Sequence, residues 1–511
     1  MLFDIDNELI QDLDIRKCDK KMAKKVQMSG NVGQSRLNIF KLVNMILTSV
    51  LLGLGIVVLW TMYSQNFLNF RGINYILTIG VIAAIILGIY SIIKRKVKVL
   101  STILLFLMNI ILIFAYLQFR TAINLFDSLN STAAVSEYTM SIVVLKDSNI
   151  DSLEDIGEDN VAAPVSSDGE NINEFMKNIH KKNNNKIINL VETRSYISAY
   201  EKLEKGENKV MILNSAHESF VTSQYTDFSE KTKKIYEYKI TKEVITKAKI
   251  NPGDTFNVYI SGIDTYGTIS SVARSDVNII MTVNRKTGKI LLTTTPRDAY
   301  VRIADSGNNQ YDKLTHAGIY GVDTSIHTLE NLYDLKIDYY ARLNFTSFIK
   351  IIDIIGGVDV YNEQNFVSSI GNYTFEPGMV HLDYAHALAF VRERYSLIDG
   401  DNDRGKNQEK VITAMIRKLS TREGISNYNS IIKELAEALQ TNMPLETAMN
   451  LANEQLTVGK DYIVRSQALI GTGRMGLTSY AMPEASLYMT QIDDESLNEV
   501  KDNIKNVLEG R

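Results

Sequence analysis

Two groups of charged side chains, far apart along the chain, have the types and spacing that phosphate chemistry requires. In the first, FNVYISGIDT alternates as a strand and stops at Asp264, a loop carries Arg274-Ser275-Asp276, and the apolar run VNIIMTVN follows. After a turn at Arg285–Gly288, KILLTTTPRDAYV reads as the return strand of a hairpin, with Arg297 and Asp298 just beyond Pro296. In the second group, ALAFVRERY sets Arg392 and Arg394 two apart, on one face if that segment is extended. DGDNDRGKNQEKVI then opens a helix on which Arg404 and Gln408, four apart, share a side. Carboxylates suit Mg²⁺, a hard cation commonly shared with phosphate oxygens, and arginine forks grip such oxygens in pairs. Taken singly, an acidic loop or paired arginines are the ordinary texture of a solvated surface. An Asp pair with several arginines is what a diphosphate ligand requires.

Between the two groups, FTSFIKIIDIIGGVDVY is apolar over more than one narrow stripe before it breaks at Gly356-Gly357. It reads as a core helix packing on a sheet, or as one wall of a slot for a lipid chain.

The elements that must hold these groups begin far upstream. At 511 residues the chain is expected to form about three structural units. Asn38–Trp60, Ile73–Ile93 and Val97–Phe119 are each long and apolar enough to cross about 30 Å of hydrocarbon. Arg16, Lys17, Lys20, Lys21, Lys24, Lys25 and Arg36 precede the first run, and Lys94, Arg95, Lys96 and Lys98 fill the turn between the second and third. The positive-inside rule puts this tail and turn in the cytoplasm and everything after about residue 120 outside. The tail's charge is read as a topology signal beside anionic lipid and not as a nucleic-acid arm, in keeping with a net charge of only −4. Cys18 is the single cysteine, which excludes intrachain disulfides and a Cys-based metal cage, and the six histidines are scattered with no HxxxH.

The expected organisation is therefore a membrane-anchored α/β protein. It comprises a cytoplasmic basic tail (1–37), three transmembrane helices (38–119), a linker (120–137), a small accessory α/β domain (138–245), a catalytic domain (246–485), and a C-terminal helix or tail (486–511). In the accessory stretch, TMSIVVLK, NVAAPV and KVMILN read as strands, and SLEDI and ISAYEKLEKG as helices. His217 and Glu218 sit adjacent after a strand and read as surface polarity.

An ordered set of motifs resembles the LytR-CpsA-Psr family of bacterial cell-envelope proteins: GIDT (262–265), RSDVNIIM (274–281), PRDAYV (296–301), DKLTHAGIYG (312–321), IIDIIGGVDV (351–360), ALAFVRER (387–394) and DRGKNQ (403–408). The spans and accessory unit are similar to its capsular-polysaccharide, CpsA/Wzg-like branch. The resemblance implies a central, mostly antiparallel sheet flanked by helices around a polyprenyl tunnel. It also implies an extracellular transferase that moves a glycan polymer, in that branch a capsular polysaccharide, from undecaprenyl diphosphate to peptidoglycan. On that basis Asp264 and Asp276 hold Mg²⁺. Arg274, Arg297, Arg392, Arg394, Arg404 and Gln408 bind the diphosphate, and Arg297, Arg392, Arg394 and Asp276 act in catalysis. Partners are then the lipid-linked glycan, peptidoglycan, membrane lipid and other capsule-assembly membrane proteins. A polyprenyl-diphosphate phosphatase or pyrophosphatase, and a non-enzymatic, attenuator-like membrane regulator, are the alternatives. Two positions depart from the family pattern. Asn407 stands where many members carry Arg, which is expected to weaken or redirect a phosphate contact; Asp383 replaces a common Gly, which is expected to affect only a turn.

Overall fold

The computed structural model describes residues 39–94, 98–156, 160–183, 188–246, 248–249, 253–263, 271–419, 439–459 and 462–511. The basic tail and Asp264 lie outside the described residues. The chain divides into two compact units, Met1–Ala122 and Ile123–Arg511.

In the first unit, helices α1 (Ile39–Ser64), α2 (Ile73–Lys94) and α3 (Lys98–Ala133) are long and apolar enough to cross a membrane. Their outer faces carry large apolar side chains such as Trp60, Ile76 and Phe114. A buried polar knot ties the three helices together. Asn44 Nδ2 donates to Ser91 Oγ at 2.9 Å and Ser101 Oγ at 3.0 Å, and Asn44 Oδ1 accepts from Thr102 Oγ1 at 2.6 Å. Small residues and interhelical hydrogen bonds are what hold helices together where the solvent is itself apolar. Gly88 fits this pattern, since a Cβ there would lie 2.2 Å from Thr48 Oγ1. Residues 120–133, expected as a polar linker, continue α3 instead.

The second unit contains two sheets. The first has the order β3-β2-β4-β1-β5, built from β1 (Val135–Leu145), β2 (Val161–Ala163), β3 (Leu190–Glu192), β4 (Val210–Asn214) and β5 (Thr232–Glu243). VMILN is buried at every position because β4 is central. The edge strand β5 is studded with lysines, which discourage pairing with another chain. Helices α4 (Val165–Lys182), α5 (Tyr196–Glu204), α6 (Ser215–Gln224) and the short α7 (Phe228–Lys231) accompany it. SLEDI is a turn and not a helix: Asp155 Oδ2 accepts from the backbone N–H of Asp151 and Ser152 at 3.0 and 2.8 Å, bonds that compete with a helix too short to repay its nucleation. His217 is not surface polarity. It is 7% exposed, with its ring 4.8 Å from that of Tyr196, and burial pushes its pKa down to about 4.

The second sheet has six strands in the order β16-β11-β6-β7-β8-β17. Its members are β6 (Thr255–Ile263), β7 (Ser275–Asn284), β8 (Lys289–Thr294), β11 (Tyr339–Asn344), β16 (Leu439–Thr441) and β17 (Ile463–Ala468). Three pairings are antiparallel, including the expected β7–β8 hairpin, and β11–β6 and β8–β17 are parallel. The centre is thus mostly antiparallel, as expected. Four short hairpin pairs complete the strands: β9 (Tyr300–Arg302) with β10 (Tyr311–Lys313), β12 (Val358–Asn362) with β15 (Gly378–Leu382), β13 (Phe366–Val367) with β14 (Thr374–Phe375), and β18 (Gly471–Leu477) with β19 (Leu487–Ile492).

The central sheet is buried on both faces. Phe256, Val258 and Ile260 of β6 enter one core with Leu292 and Ile412, while Tyr259 enters the other with Ile326 and Leu329. The covering helices are α8 (Leu314–Ala317), α9 (Val322–Tyr333), α10 (Phe345–Ile354), α11 (Tyr384–Arg392), α12 (Asp401–Leu419), α13 (Leu445–Val458) and α14 (Asp494–Leu508). Of the helix or tail expected at the C-terminus, α14 is the helix, and its Val500 and Ile504 are 3% exposed inside the second core. Of the greasy helix α10, Ile351 and Ile352 pack in a separate core with Val358 and Phe390, which matches the core-helix reading.

Two local devices set the backbone around the charged groups. Gly318 follows α8, and a Cβ there would lie 2.6 Å from the Ala273 carbonyl oxygen and 2.7 Å from the Ser275 nitrogen. The other is Glu393, 1% exposed. ALAFVR is helical and not extended, because Asp383 caps its start by accepting from the N–H of Ala385 and His386, both at 2.9 Å. Asp383 therefore nucleates α11, which is more than a turn adjustment. Glu393 then leaves the helix with φ −65° and ψ 138°. Its Oε1 accepts from the backbone N–H of Arg394, Tyr395 and Ser396 at 2.9, 2.7 and 3.0 Å. Burial alone would raise the carboxyl pKa, but these N–H donors and that of Ser369 outweigh it and hold it at about 2.

Gly318→Ala should lower the stability of the second unit by about 1–3 kcal/mol in urea unfolding. Gly405→Ala, in α12 with nothing within 4 Å of its Cβ, should raise it by up to about 1 kcal/mol. Equal effects would refute the steric account. Because the Glu393 pKa is depressed on folding, its contribution is complete above about pH 4.5 and is lost as pH falls towards 2. The loss amounts to at most about 3 kcal/mol. Thermal unfolding should show the wild type losing stability across that window, and Glu393→Gln should start lower and change less.

Candidate active site

The site is assembled around an irregularity in the central sheet. Between β6 and β7, Gly262 pairs with Val277 and Ile263 with Ser275, so Asp276 is the extra residue of a β-bulge. A bulge re-aims the side chain it carries. Gly262 makes it possible, since a Cβ there would sit 2.8 Å from Val277 Cβ. Below it, Tyr259 OH donates to Asn278 Oδ1 at 2.7 Å and lies 3.0 Å from Ser275 Oγ, which lies 2.8 Å from Ser261 Oγ. These buried hydroxyls fix the start of β7 from the core side.

The Asp276 carboxylate has a partner on each oxygen. Oδ2 accepts from Arg297 Nη1 at 2.6 Å, and Oδ1 accepts from Thr315 Oγ1 at 2.9 Å. The backbone is stitched in the same place, with Thr315 N–H donating to the Arg297 carbonyl at 2.9 Å and Leu314 N–H to that of Ala299 at 2.8 Å. Charge alternates onward: Arg297 Nε is 3.7 Å from Asp298 Oδ2, and Lys313 Nζ is 2.7 Å from Asp298 Oδ1. Asp312, fully buried, accepts from His316 Nδ1, Ser479 Oγ and the Ala481 N–H, each at 2.8 Å. Burial opposes its ionisation, yet His316 and these donors hold its pKa below the usual carboxylate range.

The second charged group converges on the same place. A cavity of about 290 Å³ is lined by Asp276, Arg392, Arg394, Arg404 and Gln408 on its polar side. Its apolar side comes from Ile260, Ile263, Val277, Leu343, Val391 and Ile412. A second cavity of about 370 Å³ shares Asp276, Val277, Arg404 and Gln408 with the first and adds Arg297, Asp298, Lys406 and Glu409. Arg392 and Arg394 reach one cavity although they are not on one strand: Arg392 ends α11, and the extended backbone at Glu393 turns the next residues. Gln408 Nε2 ties α12 to that turn by donating to the Val391 carbonyl at 3.3 Å. Asp403 anchors the start of α12, accepting from Gln364 Nε2, Lys406 Nζ and the Asp399 N–H, each at 2.9 Å.

Of the residues expected to act, Asp276, Arg297, Arg392, Arg394, Arg404 and Gln408 meet around these two cavities. Arg274 lines neither, and Asp264 lies outside the described residues. Asn407, standing where many members carry Arg, is 3% exposed and lines neither cavity. Sequence reasoning missed Thr315, Lys313 and Glu393, although the first two stand inside the quoted DKLTHAGIYG and the third inside RER.

Several guanidinium groups and one carboxylate lining a cavity together with apolar side chains suit a phosphate-bearing headgroup on an apolar chain. Among the described residues no three His, Cys, Asp or Glu side chains converge as a metal cage. Mg²⁺ needs no such cage, since it is commonly held by one or two carboxylates plus substrate phosphates. Each Asp276 oxygen, though hydrogen-bonded, retains acceptor capacity, so the donor set fits a phosphate-shared ion.

Comparisons with known proteins were made on this footing. The LytR_cpsA_psr family model matches residues 219–504, starting inside α6 and ending inside α14. A DNA polymerase processivity factor model matches residues 95–213, a stretch that ends inside β4, covers less than half of the chain and shows no family. The polyisoprenyl-teichoic acid–peptidoglycan teichoic acid transferase TagT of Bacillus subtilis (strain 168) is 33% identical over 271 residues, covering 51% of this chain and 79% of its own length. Biofilm regulatory protein A of Streptococcus mutans serotype c is 31% identical, covering 45% of this chain and 59% of its own. Among solved structures, TagT bound to LIIa-WTA is 30% identical and covers 52% of this chain and 95% of its own, with a TM-score of 0.42. Matched from residue 219 to residue 504, over more than half its length, the chain belongs to the LytR_cpsA_psr family.

Proposed function

We propose that this protein transfers a completed glycopolymer from a polyprenyl-diphosphate carrier to peptidoglycan on the outer side of the membrane. The observation that carries the reading is the convergence of Asp276, Arg392, Arg394, Arg404 and Gln408 on one cavity that is also lined by apolar side chains such as Ile260, Leu343 and Ile412. Transferases of polyisoprenyl-linked teichoic acid to peptidoglycan among its relatives support the same class of reaction. The resemblance to the capsular branch favours capsular polysaccharide as the polymer. Lys/Arg placement favours a cytoplasmic tail and an outer catalytic unit.

The acceptor is a peptidoglycan sugar hydroxyl. Its oxygen forms the new bond to the carrier-linked glycan, its proton passes to a base, and the carrier phosphate leaves with the electron pair of the broken bond. Whether attack falls on the anomeric carbon or on phosphorus, negative charge develops on phosphate oxygens. Arg297, held by Asp276, and Arg392 and Arg394, held by the Glu393 turn, are preorganised to receive that charge. Asp276, together with Asp264, would hold Mg²⁺, which supplies Lewis-acid neutralisation of the diphosphate. Neither His nor Cys lines the two cavities among the described residues, which favours direct transfer over a covalent enzyme intermediate.

The test is transfer by the full chain in nanodiscs from a synthetic polyprenyl-diphosphate glycan to peptidoglycan, with Mg²⁺ and with EDTA. Wild type should attach glycan covalently, EDTA should abolish attachment, and Arg297→Ala should slow it by roughly 10²–10³-fold. Release of glycan or phosphate without attachment would replace the transferase with a hydrolase. Undiminished transfer by Arg297→Ala would show that the chemistry lies elsewhere.

A further inference from the structure

The largest of the cavities described is not at the catalytic centre. An open cleft of about 940 Å³ runs between the five-stranded sheet and the β9–β10 and β18–β19 hairpins, all within the second unit. We propose that this cleft is a subsite for an extended, uncharged or zwitterionic glycan, a stretch of the polymer chains that the reaction joins. The assignment rests on the proposed function only in taking the ligand to be a glycan.

The first argument is the aromatic wall. Tyr300 and Tyr311 stack with centroids 4.9 Å apart at 26°, Arg302 lies 4.7 Å over the Tyr311 ring, and Tyr311 remains 42% exposed. Tyr480 adds a third ring, its hydroxyl accepting from Asn308 Nδ2 at 2.6 Å. Rigid, partly exposed aromatic rings carrying a polar tip suit ligands that alternate apolar C–H groups with hydroxyls.

The second is the opposing polar wall. Glu192, Glu201 and Glu484 face the cleft, and each has one oxygen already fixed. Glu192 Oε1 accepts from the Ser166 N–H at 3.0 Å, Glu201 Oε1 from Tyr225 OH at 2.9 Å, and Glu484 Oε2 from Ser195 Oγ at 2.9 Å. The fixed oxygen sets the rotamer and leaves the other to accept from a hydroxyl. Ser166 and Ser167 also line an adjoining cavity of about 500 Å³. Asn171 lines that cavity, donating its Nδ2 to Asp168 Oδ1 at 2.7 Å.

Charge decides what kind of glycan. Three carboxylates are matched by three cations, Arg194 and Lys202 in the lining and Arg302 over Tyr311. The catalytic cavities hold four arginines and a lysine against Asp276, Asp298, Asp399 and Glu409, so only they carry a net positive charge. A polyanionic polymer would gain nothing from the cleft, whereas a neutral or zwitterionic chain would not be repelled.

The third argument is continuity. Gly471 and Thr490, at the base of the β18–β19 hairpin, line the second catalytic cavity, while Thr478, Ser479 and Tyr480 near its tip line the cleft. Asp298 of the second cavity is also only two residues from Tyr300 of the cleft, so one extended ligand can occupy both.

Binding of soluble peptidoglycan strands, a neutral oligosaccharide and poly(glycerol phosphate) to the nanodisc-held full chain, in EDTA and without carrier lipid, tests the assignment. At least one of the first two should bind, poly(glycerol phosphate) should bind more weakly, and Tyr311→Ala should weaken glycan binding by about tenfold. Which of the two binds identifies the chain that occupies the cleft. Retained polyprenyl-phosphate binding certifies that Tyr311→Ala is folded; should it misfold, Glu201→Gln must weaken the glycan in its place. No glycan binding, equal binding by wild type and folded variants, or tighter binding of the polyanion would overturn the subsite. Glycan binding without transfer would uphold the cleft and remove the transferase reading, and transfer without cleft binding would do the reverse.

Discussion

The ion pair between Arg297 and Asp276 is the contact through which every other part of the site is registered. Its 2.6 Å separation depends on a bulged residue in β7, a glycine opposite that lets Val277 approach, and a threonine from α8 that takes the second carboxylate oxygen. Each of those comes from a different stretch of chain. The pair is only partly buried, with side-chain exposures of 21% for Arg297 and 12% for Asp276. Its desolvation cost is therefore moderate, and its value lies in orientation more than in stability. A guanidinium spread over two acidic neighbours and a cavity is a donor array held in place before any ligand arrives.

The arginines of the second group are held by a different economy of hydrogen bonds. A buried carboxylate, Glu393, takes up the N–H groups of the turn that follows the helix, Arg394 to Ser396, and that of Ser369. Asp383 does the equivalent at the opposite end of the same helix, and Asp403 at the start of the next. Three acidic side chains thus act as backbone clamps around a cavity whose functional charge is positive. The catalytic cations are carried on elements whose ends are closed by anions, which also tempers their mutual repulsion.

The order of elements was readable because periodicity is local. The β7–β8 hairpin, the α12 face carrying Arg404 and Gln408, and the three apolar helices follow from spacing alone. What was not readable depended on partners distant in sequence. RSDVNIIM gives no sign that one residue is extra, since a bulge exists only relative to the opposing strand. ALAFVRER seemed extended from its arginine spacing, but an N-terminal Asp and two alanines favour a helix, and Glu393 supplies the break. His217 looked solvated because two of the rings that enclose it, Tyr196 and Tyr320, come from elsewhere in the chain, and only Phe220 shares its helix. The terminal segment seemed expendable because its two buried side chains, Val500 and Ile504, are diluted among charges.

The two catalytic cavities have a party wall, since Asp276, Val277, Arg404 and Gln408 belong to both. A change made to suit one occupant is felt at once by the other. The apolar-sided chamber and the polar chamber are therefore not independently evolvable, and substitutions across the wall will be epistatic. Divergence towards a new polymer has its freest path in residues that touch one chamber alone, such as Lys406 and Glu409, or in surfaces remote from both. A lineage could change the glycan it handles many times over while the shared wall stayed nearly fixed.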